Sequence, residues 1–246
     1  MNLIELVGQS GLTGRGGGGF PTATKLAAAS RHRARLIINA CDGELGAGKD
    51  EWTVRHHLAE VTAAAEAIAG SDYVIAAHRH SAAGAVLQRA GIGCLWVPGR
   101  YVSSEESALV NLANGGPARP LARTGPITSG SRAPDGRALP PTLVINAETA
   151  WRIDQIARRG PAWFRSFGTA HEPGPRLITL SGAVTRPGVY ETAAGATMND
   201  LISLAGGLSA PADSIWLNGL GGGFVPLPSG YQTRWQRDDL ARHGLR

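Results

Sequence analysis

Four short clusters in this sequence combine residue types that can hold a charged or planar ligand. The first is Gly14-Arg15-Gly16-Gly17-Gly18-Gly19-Phe20-Pro21, with Lys25 following. Glycine has no Cβ, so a phosphate or a flat ring can come close to the backbone amides there. Lys25 adds a point charge suited to a phosphate. The second is Asn39-Ala40-Cys41-Asp42-Gly43-Glu44-Leu45-Gly46, with Lys49-Asp50 behind it. Its amide donates and accepts, and its carboxylates accept from ribose or ribityl hydroxyls. The third is Tyr101-Val102-Ser103-Ser104-Glu105-Glu106-Ser107. The fourth is Pro141-Thr142-Leu143-Val144-Ile145-Asn146-Ala147-Glu148-Thr149, with Asn146 placed to cap a helix. Taken singly, each has a plain alternative: a glycine loop without a ligand, an Asx-type turn, or carboxylates capping a helix N-terminus.

The elements that must position these clusters follow from apolar runs and punctuation. Leu36–Ile38, Tyr73–Ala77, Cys94–Val97 and Thr142–Ile145 read as short buried strands. Helical stretches run over Leu58–Ala69, Ser81–Ala90 with Ser81 as N-cap, and Glu148–Arg159. Strands alternating with helices predict an α/β domain, and ligands of such domains bind at the carboxyl ends of the strands. The second and fourth clusters both follow a strand. Gly14, Gly16 and Gly19 satisfy G-x-G-x-x-G, but too few residues precede them for a strand, and Pro21 falls where the helix should open. The ordinary dinucleotide fingerprint is therefore rejected.

Residues 115–141 are rich in proline, glycine, serine and arginine and read as a long loop. After Glu172-Pro173-Gly174-Pro175 the pattern changes. Strands at 176–181 and 188–190, a helix at 198–204 and strands at 215–217 and 224–225 predict a small β-β-α-β unit. The expected organisation is residues 1–172 as the α/β domain, 173–230 as the small unit and 231–246 as a polar tail.

Composition excludes several classes. With 246 residues, 43% hydrophobic and 17% charged, the chain is globular rather than disordered. The net charge of +5 comes from scattered arginines, and no basic stripe is interleaved with aromatics, so no nucleic-acid partner is expected. No apolar run approaches ~18 residues, so no membrane span is expected. The first residues lack a basic-then-apolar leader, which points to the cytoplasm. Cys41 and Cys94 are too few for a disulfide scaffold or a four-thiolate cluster. His56-His57 and His78-Arg79-His80 lack metal-ligand spacing, and no metal is expected. Trp151 and Trp216 read as core or interface residues.

Together and in this order, the four clusters resemble the flavin- and NADH-binding subunit of respiratory complex I and its relatives in NAD-linked hydrogenases and formate dehydrogenases. That family's G-R-G-G-A-G-F-P-T with a following lysine is similar to Gly14–Thr22 and Lys25. Its N-A-D-E-G-E-P-G and K-D resemble Asn39–Gly46 and Lys49-Asp50. Its Y-x-x-G-E-E-T and P-T-x-V-N-N-V-E-T resemble Tyr101–Ser107 and Pro141–Thr149. Trp163–Thr169 and the Leu180–Glu191 region also look like family segments.

The resemblance implies a Rossmann-like, complex I-type FMN-binding domain followed by a ubiquitin-like β-grasp (SLBB-type) domain. It implies FMN contacts from Gly14, Gly16, Lys25, Asn39, Asp42, Tyr101, Glu105 and Asn146, and NADH contacts from Phe20, Glu44 and Glu106. In that family electrons pass from the flavin to an iron–sulfur cluster held by a later helical domain. These 246 residues stop before such a domain, so no iron–sulfur cluster is expected in this chain. An iron–sulfur or other electron-transfer subunit is the expected partner, with the chain cytoplasmic or peripheral to a membrane complex. The departures are Cys41 for an aspartate, Ser104 for a glycine, Ile145 for an asparagine and Leu45 for a proline. The family's adenine-holding loop is not recognisable in Gly116–Ser131. A non-catalytic docking relative that has lost its cofactor is the rival expectation.

Overall fold

A computed structural model describes residues 2–122 and 125–245. Helix α1 (Leu3–Ser10) opens with a capping box between Asn2 and Glu5. The glycine loop follows, then α2 (Thr22–His32) and strand β1 (Arg35–Asn39). Helix α3 (Lys49–Ala69), β2 (Tyr73–His78), α4 (Ala82–Arg89) and β3 (Cys94–Val97) continue the alternation. Next come α5 (Glu106–Ala113), a two-residue hairpin pair β4 (Ser131–Arg132) and β5 (Ala138–Leu139), and β6 (Thr142–Asn146). Helices α6 (Ala147–Arg159) and α7 (Pro161–Arg165) close the first unit.

The strands form one parallel sheet in the order β3-β2-β1-β6. Both faces are covered, which is why the strands read as continuous apolar runs rather than alternating ones. Leu36, Ile38, Leu143 and Ile145 face a core built with α1, α2, α3 and α6. Ile37, Ala76, Val97 and Val144 face a second core with α5 and Leu139. Leu121, Ile127, Ala133 and Leu139 of the expected loop thus cover the second face of the sheet.

Helix α3 begins nine residues before the expected helix at Leu58. Its backbone leaves helical geometry at His57 (φ −135°, ψ 30°), so the expected element is its second half. The ring of His57 stacks on Trp151 at 3.9 Å, while His56 stacks on Trp52 at 4.6 Å. The two histidines are spent on aromatic packing. Among the described residues no group of three or more metal-ligating side chains gathers, and no helix is long and apolar enough to cross a membrane.

The second unit pairs β7 (Pro175–Leu180) with β8 (Gly188–Ala193), adds α8 (Met198–Leu204) and ends in the β9 (Ser214–Leu217) and β10 (Gly223–Pro226) ladder. Trp216 and Phe224 are exposed cross-strand partners with stacked rings, so Trp216 is not a core residue of this chain.

The expected polar tail is corrected: it folds onto this unit. Met198 and Trp235 donate backbone hydrogen bonds across it, to Thr233 and Ala196. Helix α9 (Arg237–Ala241) buries Leu240, and Leu245 is buried beyond it, both in a core with Ile178, Met198, Leu201 and Val225. A polar average hid two apolar side chains at the right spacing. Leu240→Ala should lower unfolding stability by about 2–4 kcal/mol, the cost of an unfilled buried leucine site. A urea unfolding curve measures it, and an unchanged midpoint would show that the segment is only a tail.

Candidate functional site

Strands β1 and β6 are parallel neighbours in register, so Asn39 and Asn146 end side by side at the carboxyl edge of the sheet. The glycine loop lies against this edge. It is pinched at its base by the Gly14 amide donating to Phe20 O at 2.9 Å, and fixed at Arg15, whose amide donates to Thr149 Oγ1 at 2.9 Å. Gly17 and Gly19 are in the left-handed region, at φ +96° and +56°, which an L-residue rarely adopts. A methyl on Gly16 would touch Asn146 Cβ at 3.4 Å, whereas Gly17 and Gly18 face open space. The amides from Gly16 to Phe20 make no hydrogen bond of ordinary geometry among the described residues.

Lys25 reaches in from the first turn of α2. Its ammonium donates to Glu106 Oε1 at 2.6 Å and to Val144 O at 3.3 Å. Asn39 Nδ2 donates to Ser104 O at 3.0 Å, and its Oδ1 accepts from the Cys41 amide at 3.0 Å. Asp42 caps α3: its two oxygens accept from the amides of Asp50 and Glu51 at 3.0 and 2.8 Å. Gly48, at the helix start, has no side chain to do so. Glu105 caps α5 in the same way, accepting from the amides of Ser107 and Ala108 at 2.7 and 3.1 Å. The capping alternative weighed for this pair of carboxylates is thus what Glu105 does. Glu44 Oε1 accepts from the Tyr101 hydroxyl at 2.8 Å, and Oε2 from the Leu220 amide at 3.1 Å. The carboxylate beside it raises the Tyr101 phenol above its ordinary pKa. Phe20 projects from the loop with half its surface exposed.

Beneath the strand ends is a buried polar network. Asn146 Nδ2 donates to both oxygens of Asp50 at 2.8 Å, and its Oδ1 accepts from Lys49 Nζ and the Glu148 amide, each at 3.1 Å. Lys49 pairs with Asp50 at 2.9 Å and Glu148 at 3.2 Å. Glu148 Oε1 accepts from the Leu177 amide at 2.7 Å, and Arg152, fully buried, bridges Glu148 to Glu191. The network thus ties the strand-end site to β7 and β8 of the second unit. Burial works against the Lys49 ammonium, but Asp50 and Glu148 hold its pKa above that of an ordinary lysine. Burial, reinforced by Asp42 and opposed by Lys49, raises Asp50 to about 6. Burial and the charge of Asp50 push the Cys41 thiol up, so it stays protonated and neutral.

The residues present fit a flat, phosphorylated cofactor on the loop side: open glycine backbone, unsatisfied amides and a lysine converge beside two strand-end amides. The fit is tighter on the opposite side, where Ser104 Oγ sits 2.6 Å from where a methyl on Gly43 would be. Sequence reasoning missed Arg152, Gly219 and Leu220. No local pattern marks them, because their contacts span the two units. Lys49 carried a signal, as one of only two lysines in an arginine-rich chain.

The Nuo51 FMN-binding domain family of complex I matches residues 7–155, and the SLBB domain family matches residues 177–224. An NADH-quinone oxidoreductase subunit of Rhizobium meliloti is 32% identical over 259 residues, covering 93% of this chain and 60% of that protein. The alpha subunit of the NAD-reducing hydrogenase HoxS of Cupriavidus necator is 28% identical, covering 98% of this chain and 44% of that one. A crystal structure of an NAD+-reducing NiFe-hydrogenase in the H2-reduced state superposes with a TM-score of 0.82 at 28% identity, over 96% of this chain and 44% of that one. The chain spans about half the length of the curated relatives it matches.

Two outcomes follow from the site's construction. Asp42→Ala uncaps α3 and should cost about 0.5–2 kcal/mol of stability, read from denaturant unfolding. Asp50 binds its proton more tightly folded than unfolded. Its contribution to stability is therefore complete below about pH 4 and is lost as pH rises through about 6. Asp50→Asn should flatten that part of the stability–pH curve. A curve of unchanged shape would mean that Asp50 does not titrate there.

Proposed function

This chain belongs to the Nuo51 FMN-binding family, which supplies the flavin- and NADH-binding subunits of NADH:quinone oxidoreductases and NAD-reducing hydrogenases, and on that premise we propose that it binds FMN at the strand ends and oxidises NADH beside it. The observation that carries the reading is the convergence of the open glycine loop, Lys25, Asn39 and Asn146 at the carboxyl edge of a parallel sheet. Bound FMN would supply the hydride acceptor and the one-electron donor.

The chain's own groups bind and orient. Gly14 and Gly16 let a ring approach the loop backbone. The Lys25 ammonium places positive charge beside the ligand, shared with Glu106. Asn39 and Asn146 fix the floor of the site, because the oxygen and nitrogen of each amide are held by neighbours. Asp42 and Glu105 act at the ligand's edge through the helix ends they cap, and Tyr101 through Glu44. Phe20, Glu44 and Glu106 line the dinucleotide side. Cys41, neutral in place of the family's aspartate, leaves one negative charge fewer near the flavin.

With two cysteines in these 246 residues, no four-thiolate cluster forms within them. Electrons leave the flavin for a partner chain or a soluble acceptor, in a cytoplasmic or membrane-peripheral assembly. The division of the chain falls near residue 172.

A second reading has its own support. Ser104 fills the space against Gly43, and Glu44 is tied to Tyr101 and Leu220. These contacts suit a protein that keeps the fold for docking after losing the cofactor. Titrating the apo-protein with FMN, followed by flavin fluorescence and by bleaching on addition of NADH, decides between them. The flavin reading expects stoichiometric binding and bleaching. A chain that binds no FMN until Ser104→Gly, Cys41→Asp and Ile145→Asn are combined is the scaffold. Within the flavin reading, Lys25→Ala should weaken FMN binding by about 1.5–3 kcal/mol, the range for a charge-assisted hydrogen bond. Equal affinity would remove Lys25 from the site.

A further inference from the structure

Helix α9 lies outside both matched regions, yet it delivers a side chain to the glycine loop. A methyl built on Gly19 would coincide with Arg237 Nη2 and lie 3.2 Å from Nη1, so the guanidinium rests directly on the Gly19 backbone. The approach is possible only because position 19 carries no side chain. The Arg237 backbone is fixed from below, its amide donating to Glu172 Oε1 at 2.6 Å, while Glu172 Oε2 accepts from Arg176 at 3.0 Å. Both oxygens of the Glu172 carboxylate are thereby engaged. Among the described residues, no hydrogen bond or ion pair reaches the guanidinium of Arg237 itself.

An uncompensated guanidinium therefore stands beside a run of backbone amides, Gly16 to Phe20, that also have no acceptor of ordinary geometry. Above Gly17 and Gly18 the space is open, and the half-exposed Phe20 ring is next to them. Successive amides form an anion-binding concavity, and the planar arginine fork matches phosphate oxygens two at a time. The other cations at the loop are engaged, Lys25 with Glu106 and the buried Arg15 with Pro173 O. An anion next to an aromatic ring that can take a base is the chemistry that a nucleoside diphosphate matches.

We propose that Arg237 grips the diphosphate of the incoming dinucleotide against the outer face of the glycine loop. The assignment rests on the reading that a dinucleotide enters beside Phe20. It makes the C-terminal segment a third wall of the site, contributed from beyond the β-grasp strands.

Calorimetric titration of the flavin-free chain with ADP-ribose and with adenosine tests it, using wild type, Arg237→Ala and Arg237→Lys. The expected result is ADP-ribose binding that weakens at least tenfold in Arg237→Ala and is partly restored in Arg237→Lys. Adenosine binding and the thermal midpoint should not change, and the salt dependence of ADP-ribose binding should become shallower. Equal ADP-ribose affinity in wild type and Arg237→Ala would overturn the assignment. So would equal losses for ADP-ribose and adenosine, which would mark Arg237 as a packing contact only, or no ADP-ribose binding by the wild type. FMN titration of the same samples is read separately: loss of FMN binding with ADP-ribose binding intact would sink the flavin reading and leave Arg237 in place.

Discussion

The charges buried between α3, α6 and β7 constrain the rest of the structure. Asp50, Glu148 and Arg152 are buried and the half-buried Lys49 joins them in one network, with the Asn146 amide at its centre. Each ion is compensated only while its neighbours keep their positions, and removing one partner from such a set leaves an unpaired buried charge costing several kcal/mol. The network therefore fixes the end of β6, the start of α3 and the first residues of β7 relative to one another. The strand-end site and the second unit share this one foundation.

That construction explains why the candidate site's polar residues do two things at once. Asp42 and Glu105 satisfy orphan amides at helix starts, where the helix dipole favours a carboxylate. Asn146 caps α6 and spans the Lys49–Asp50 pair. Their positions are set before any ligand arrives, which is the form of pre-organisation that lowers the cost of binding. Groups without internal partners lie on the other side, in the glycine loop, whose amides and open faces remain for a ligand. The contrast between a saturated floor and an unsatisfied loop gives the site its direction.

Beyond that shared network, the second unit also reaches Glu44 and Gly19. The Leu220 amide reaches Glu44, and the Glu44 carboxylate lies over Gly219, whose φ of +59° favours glycine. Arg237 rests on Gly19 from the opposite side. The first contact falls on Glu44 and the second on the residue before Phe20, and the family resemblance implies Glu44 and Phe20 for a dinucleotide.

The sequence by itself determined the parallel sheet and the residues at its carboxyl edge. Continuous apolar runs at 36–38 and 142–145 can be satisfied only by a sheet covered on both faces, and the asparagines that end β1 and β6 then fall at its carboxyl edge. It also determined the β-grasp strands and the Ser81 and Asn146 caps, because these are local signals read over a few residues. What only the tertiary structure decided are the relations between distant segments. The first half of α3 looked like a turn because its cap, Asp42, is supplied from eight residues upstream. The tail looked polar because its two buried leucines find their core in α8 and β10. Arg152, Leu220 and Arg237 carry no local pattern at all, since a guanidinium or an amide acquires its role only from the chain folded against it.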